Sequence, residues 1–506
     1  MISRKLLQLW QHLREGERRL VEPSSGWSLS ILLVFPNYYS VGVSNLGLQT
    51  VYRVLNQHPG FVCDLVYLPE EPYQVELDAG AELVSLYLER TPMEFDVILF
   101  SISFENDLLN VVKLLKYMRI PVLSEERDDS HPLVVGGGVV PTANPEPFAP
   151  IFDLIYLGEA EVGLVEILEM WADAPEREKF LEKVKDLPWA YVPSVVELDD
   201  SGPFWVPSGL EKKRAYSKNF PVEGNFSVII SKKSTFPDTH IVEVSRGCPR
   251  RCKFCLSSHL IRPVRFVETQ RILELAKESP SKKIGLLGTA VSDHRGLRRV
   301  VEEASDLTFT FSSIRVDAHP SLFDALRRSG AKSIALGIEA ATERLRSLIG
   351  KPIEDDLIVE RARELSGCFE TLKLYFMVGL PFEEEEDVEA LGSLLEKIRK
   401  VFEGRISLSV APFVPKPFTP FEREPFLDLS VIKARLKRMK KEALRFRGVF
   451  FNHDLPRWSK IQALISRGDR RVGLHFAGRQ RKLDEHLYLS RIPSEVRVPW
   501  EFVRPL

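Results

Sequence analysis

The apolar positions of this 506-residue chain fall into short blocks separated by helical and turn-forming stretches. Its start alternates Leu and Trp with polar residues such as Gln8, Gln11 and His12, the pattern of an amphipathic helix over residues 1–25. Runs at 29–35, 61–68, 96–102, 133–140 and 152–158 are rich in Val, Ile, Leu and Phe. Strands apolar on both faces belong in a parallel sheet covered by helices. With the helical period at 44–56, they predict an open, doubly wound α/β domain over residues 26–175. Residues 176–235 (PWAYVPS, DDSGPFWVPSG, PVEGNF) are dense in turn formers and predict a linker with a hairpin.

A second α/β series follows, with strands predicted at 241–245, 284–288, 309–314, 333–339, 372–380 and 406–413 and helical periods between them. Six βα units are too few for a closed eight-unit barrel. Residues 236–425 therefore predict an open six-unit β/α barrel, with its active site at the C-terminal strand ends. A basic helix at 430–447 opens a small, mainly helical cap over residues 426–506. The fold class is α/β: a doubly wound parallel sheet, a partial barrel and a helical cap.

Composition is that of an ordinary globular chain, with 44% hydrophobic and 28% charged residues and a formal net charge of −2. The charge is uneven, since residues 426–506 hold 19 Lys and Arg against 8 Asp and Glu. A solvated helical face explains this, and so does a surface for RNA. No stretch approaches the roughly 18 apolar residues of a membrane span, and the start lacks the apolar core of a signal peptide. No membrane partner is expected. Five cysteines, three of them within eight residues, do not make a disulfide scaffold. A reducing cytoplasm is the expected location.

Those three are Cys248, Cys252 and Cys255, spaced C-x3-C-x2-C directly after the first strand of the second series. Thiolates so close in sequence curl around one centre, and iron–sulfur clusters are held by cysteine thiolates. Three cysteines on a four-iron cluster leave one iron open to a small molecule. His259 leaves a second reading, a Cys3His zinc site in a nucleic-acid-binding protein.

The motif, with Phe254 before its last cysteine, resembles the signature of the radical S-adenosylmethionine (SAM) superfamily. LGTAVSDH (287–294), SSIRVDA (312–318), LGIEAATERLRSLIGK (336–351) and LKLYFMVGLP (372–381) resemble its successive strand-end segments. VAPFVPKPFTPF (410–421), PNYYSVGVSNLGLQTVY (36–52) and GGGVVPTANPEPFAPIFDLIYLGEAE (136–161) resemble a subgroup with an N-terminal cobalamin-binding-type domain. The resemblance implies a 4Fe–4S cluster on the three cysteines. SAM chelates the open iron, and reductive cleavage yields a 5′-deoxyadenosyl radical that attacks an unactivated carbon, with a ferredoxin or flavodoxin as reductant. It places Phe254 and Met377 beside adenine and Gly288 near the methionine amino group. Ser313 and Arg315, two apart and so on one face at the end of the third strand, fall near ribose and carboxylate, and Glu339 near ribose or in proton transfer.

The N-terminal domain decides the reaction. Ser103 ends a strand where open α/β sheets bind ligands, and Gly136, Gly137 and Gly138 let backbone approach a large ligand. Cobalamin proteins that ligate cobalt through histidine carry D-x-H-x-x-G after the first strand. The loop here, PNYYSVGVSNLG, has no histidine. The resemblance thus leaves two reactions: cobalamin-mediated methyl transfer without this ligand, or cobalamin-independent modification of RNA or protein. The substrate itself is not legible. Arg467, Asp469, Arg470 and Arg471 form either an interdomain ion network or a phosphate site. The acidic run 383–387 complements a helix start.

Overall fold

The computed structural model describes residues 3–23 and 26–504. The N-terminal helix is Arg4–Arg14, capped by the Ser3 side chain. It buries Leu6 and Trp10, and the Trp10 indole N–H donates to the Val84 carbonyl at 2.9 Å.

The first sheet contains β1 (Leu29–Phe35), β2 (Phe61–Tyr67), β3 (Val97–Ser101), β4 (Leu133–Gly137), β5 (Leu154–Tyr156) and β6 (Ala190–Tyr191). Its order is β2-β1-β3-β4-β5-β6, parallel except for β6. Every residue of β1 and β2 is buried, which accounts for their unbroken apolar runs. The chain leaves β1 toward β2 on one side and returns to β3 on the other. That switch opens a crevice at the C-terminal strand ends, the ligand position of this topology.

Two boundaries differ from expectation. β4 stops at Gly137, and Val139–Ala143 is helical. Gly138 has φ +113, and a Cβ there would lie 2.2 Å from the Ile102 carbonyl oxygen, so the strand cannot run on. The linker is also more ordered than its turn residues predict. It supplies helix Arg177–Val184, edge strand β6 and the expected hairpin, Leu198–Asp199 against Val206–Pro207.

The second series contains β7 (Thr239–Arg246), β8 (Lys283–Gly288), β9 (Thr308–Phe311), β10 (Ile314–Arg315), β11 (Ser333–Glu339), β12 (Thr371–Val378), β13 (Arg405–Pro412) and β14 (Val449–His453). β7, β8 and β9 pair in parallel, as do β10 to β14. β9 and β10 are one expected strand, broken at Ser312 and Ser313. The outward residues of β11–β13, such as Leu336, Leu374 and Leu408, are buried under helices.

β14 is an additional barrel strand, which corrects the cap boundary expected at residue 426. The basic helix is Leu429–Ala443, and it packs Ile432, Leu436 and Met439 into the barrel core. Arg435 pairs with Glu383 and Glu385, and Arg438 with Glu385 and Glu389. β14 spans five residues, too few to show a period, and its inward Phe450 and Asn452 are exposed. After it, helices Pro456–Arg467 and Arg470–Phe476 return to the first domain, where Leu464, Ile465 and Val472 join its core. Among the described residues, no helix is long and apolar enough to cross a membrane.

Candidate active site at the cysteine loop

β7 ends at Arg246, and Gly247 turns the chain with φ +76. A Cβ at Gly247 would sit 2.2 Å from the Ile261 carbonyl oxygen, so only glycine permits this turn. Helix Leu256–Leu260 begins directly after Cys255, closing the loop. Cys248 and Cys252 are buried and Cys255 is half-buried. Burial pushes the Cys248 and Cys252 thiols up, and each feels its neighbouring cysteines. Ligand thiolates need compensation for that cost, from a metal centre or from cations.

The donor set fits an iron–sulfur cluster better than zinc. Tetrahedral zinc with Zn–S of about 2.3 Å gathers its sulfurs about 3.8 Å apart. Among the described residues, no three His, Cys, Asp or Glu side chains are gathered for a single metal ion. The His259 Nε2 lies 3.1 Å from the Cys252 carbonyl oxygen, so the ring engages backbone. A polynuclear cluster spreads its thiolates over several irons, which suits three thiols on one eight-residue loop.

Two cations face Cys252. Arg315 Nη1 donates to its Sγ at 3.8 Å, while Asp317 holds the guanidinium at 2.7 and 3.0 Å. Lys351, which the sequence reading missed, is buried and also opposes the upward shift of the Cys252 thiol. Its Nζ lies 2.8 Å from Glu339 Oε1. Only the fold brings this lysine, at the end of RSLIGK, to the cysteine loop. Glu339 has φ +71, a conformation that costs a non-glycine residue energy and clusters at functional sites.

The remaining expected residues divide. Phe254 and Met377 come together, packed against Ile349, Leu380, Phe413 and Phe421 as an apolar pad. Gly288 abuts Ser245, where a Cβ would meet Oγ at 2.4 Å. Ser313 does not share a strand face with Arg315; it lies exposed in the break between β9 and β10. Of the basic residues around the cysteines, Arg246, Arg250, Arg251 and Lys253, the first two are engaged by carboxylates. Arg246 pairs with Glu159, Glu161 and Glu243, and Arg250 with Asp293 and Asp317.

A cavity of about 560 Å³ joins the two domains. Ser103 and Gly136–Gly138 line it from the first sheet, Gly288 and Thr289 from the barrel, and Leu260 and Ile261 from beside the cysteine loop. Asn45 Nδ2 donates to Ser103 Oγ at 3.0 Å across the topological switch. Packing explains two of the three glycines. A Cβ on Gly136 would strike the Phe152 ring at 2.6 Å, and Gly138 is fixed by its φ. Gly137 has no such conflict, its nearest neighbour being the Tyr156 carbonyl oxygen at 3.6 Å, so its bareness only widens the cavity. One end of the cavity is ionic: Glu159 meets Arg214, Arg246 and Arg265. Burial opposes the Glu159 charge, but the Arg265 hydrogen bond and its neighbours hold the carboxyl at about 2.

The C-terminal arginines are structural. Arg470 Nε donates to Glu146 Oε2 at 3.0 Å, and Asp469 accepts from Arg471, the Trp205 N–H and the Tyr488 hydroxyl. Arg467 donates to the carbonyls of Glu424 and Ser490 at 2.5 Å. These contacts are those of the interdomain ion network, the first of the two expected readings.

A glycine-turned cysteine loop at the C-terminal ends of an open parallel barrel defines an iron–sulfur enzyme of the partial-barrel class. The model of the radical SAM superfamily matches residues 242–395, and that of radical SAM proteins, N-terminal, matches 47–193. Together they span more than half of the chain, which belongs to the radical SAM superfamily and is an enzyme working with SAM and a 4Fe–4S cluster. An uncharacterized protein of Methanocaldococcus jannaschii is 29% identical over 455 residues, covering 88% of this chain and 89% of its own. The tRNA-2-methylthio-N(6)-dimethylallyladenosine synthase of Helicobacter pylori is 24% identical over 52% of this chain and 64% of its own. The radical SAM methyltransferase TsrM of Kitasatospora setae, solved with cobalamin and a [4Fe-4S] cluster, superposes with a TM-score of 0.51 at 14% identity, over 78% of this chain and 74% of that one. That likeness is one of fold.

Proposed function

We propose that Cys248, Cys252 and Cys255 hold the cluster, and that this enzyme transfers a methyl group to an unactivated carbon with a corrinoid seated in the interdomain cavity. One observation carries the proposal: a single cavity touches both the glycine-lined switch point of the first sheet and the flank of the cysteine loop. When bound, the cluster supplies the electron that cleaves the sulfonium carbon–sulfur bond of SAM. A corrinoid supplies a methyl carrier within reach of that centre. Arg315 and Lys351 orient the SAM carboxylate, Glu339 its ribose, and the Phe254–Met377 pad its adenine. Ser103, Asn45 and the backbone at Gly137 would hold a corrinoid from the first sheet. Arg214 and Glu159, at the ionic end, would offer hydrogen-bond partners to its amides. No histidine lines the cavity among the described residues, so its wall would offer a corrinoid no imidazole.

The test is anaerobic purification with hydroxocobalamin supplied. The expected protein carries about four irons and one corrinoid per chain. An iron-replete protein without corrinoid after reconstitution rejects methyl transfer, and leaves cobalamin-independent radical modification.

A further inference from the structure

The lumen of the barrel is open where closed barrels are filled. Closed eight-stranded barrels pack bulky branched residues inside. Here the inward positions carry Gly285, Ala335, Ser407 and Ser409, while their neighbours Ile284, Leu336 and Leu408 point into the outer core; at Gly337 the Glu339–Lys351 pair covers the wall. Two aromatic side chains on the inner face are therefore accessible: Tyr375 is 39% exposed and Phe450 is 51% exposed.

Register arranges this face in rows. Gly337, Tyr375, Ser409 and Asn452 lie side by side across β11–β14, and Arg315 pairs with Gly337 at the other edge. One step toward the base, about 7 Å away at 3.3 Å per residue, the row is Ala335, Lys373, Ser407 and Phe450. One step toward the cysteine loop lie Met377 and Ala411. Cations mark the base of the lumen. Lys283, Lys373 and Arg405 all occupy inward positions near the starts of their strands. None makes a side-chain hydrogen bond or ion pair among the described residues. Arg447, just before β14, is likewise unpaired.

We propose that this inner wall binds the substrate and that the substrate is a nucleotide. Its base stacks between Tyr375 and Phe450, with its edge on Asn452 and Ser409. Its phosphate lies toward Lys373 and Arg405. Aromatic faces accept any base, amide and hydroxyl groups read the edge, and unpaired cations near a base-sized step away match a phosphate. A neutral protein side chain would leave these cations without a partner. The placement presents the base upward, toward Met377 and Glu339. The inference rests on the proposed radical chemistry only for what happens at that upper end. The same chemistry is offered by a free nucleotide or by a flipped-out residue of RNA.

The test uses the full chain, reconstituted anaerobically and saturated with SAM. Binding of AMP, GMP, CMP, UMP, a mixed-sequence RNA oligonucleotide and the peptide Gly-Trp-Gly is measured by equilibrium dialysis. At least one nucleotide probe is expected to bind and the peptide is not. Tyr375→Leu and Phe450→Leu should each weaken binding about 5- to 100-fold, the loss of one stacking face. Lys373→Gln should weaken it and reduce its salt dependence. SAM affinity should not move in any variant. Should a leucine variant lose folding, Lys373→Gln, at an exposed side chain, still decides. RNA binding more than about tenfold tighter than any monophosphate identifies RNA as the source, and equal binding identifies a free nucleotide. The proposal is overturned if no nucleotide probe binds below about 1 mM, if binding ignores all three substitutions, or if the peptide binds in their place. Formation of 5′-deoxyadenosine without nucleotide tests the cysteine-loop chemistry separately.

Discussion

Glu159→Gln removes one negative charge from the point where the two domains meet. Glu159, on the first domain, contacts Arg214 of the linker and Arg246 and Arg265 of the barrel, with side-chain exposure of only 12%. A carboxyl held at about 2 against its ordinary 4.5 is stabilised as the anion by about 3 kcal/mol. Removing one partner of a buried ion pair costs a similar 3–5 kcal/mol, because the other charges remain buried. Glutamine keeps the volume, so cavity effects do not enter. The sign with pH follows from the depressed value. The contribution is complete above about 4.5, the unfolded value, and is lost as pH falls toward 2. Denaturant unfolding at pH 7, followed by tryptophan fluorescence, should show the variant about 3 kcal/mol less stable in its first transition. The acid-induced loss below pH 4.5 should be correspondingly smaller than in the parent. Arg246 leads directly into Gly247 and Cys248, so iron retention should fall as well. A cost below about 1 kcal/mol, or an unchanged acid profile, refutes the reasoning.

Three further outcomes are expected. His240 is buried with no well-formed hydrogen bond to either ring nitrogen, and burial outweighs the opposing Ser227 backbone to lower it to about 4. Stability should therefore fall by about 3 kcal/mol as pH drops from 6.5 to 4, because only the unfolded chain takes the proton there; thermal unfolding of His240→Phe should be flatter over that window. Gly137→Val places a side chain in open cavity space, so corrinoid co-purification should drop more than about tenfold while iron content holds, both read by absorbance and metal analysis. Arg315→Gln removes the guanidinium from beside Cys252 and should weaken SAM binding about 10- to 100-fold in equilibrium dialysis, in keeping with a lost charged hydrogen bond.

Much of this architecture was legible because its physics is local. Continuous apolar runs such as Leu29–Phe35 announce buried parallel strands, and a C-x3-C-x2-C loop after a strand announces a metal or cluster site. What was not legible depends on contacts far apart in sequence. β14 hid because its inward face, Phe450 and Asn452, meets an open lumen, so no apolar period marks it. Lys351 reads as an ordinary helix-end lysine until β11 brings it to Cys252. Arg470 stays open between an ion network and a phosphate site until Glu146 is found against it. Ser313 illustrates the converse: the two-residue strand period put it beside Arg315, but the strand breaks there.

The central claim is that the three cysteines hold a cluster that cleaves SAM. It is tested most directly by anaerobic purification of the parent and of the Cys248→Ala, Cys252→Ala, Cys255→Ala triple variant, with iron, zinc and 5′-deoxyadenosine measured under dithionite. The parent protein is expected to be brown, with about four irons per chain, and to form 5′-deoxyadenosine, and the triple variant to fold and do neither. Colourless parent protein with one zinc per chain, or 5′-deoxyadenosine formed equally by the triple variant, would contradict it.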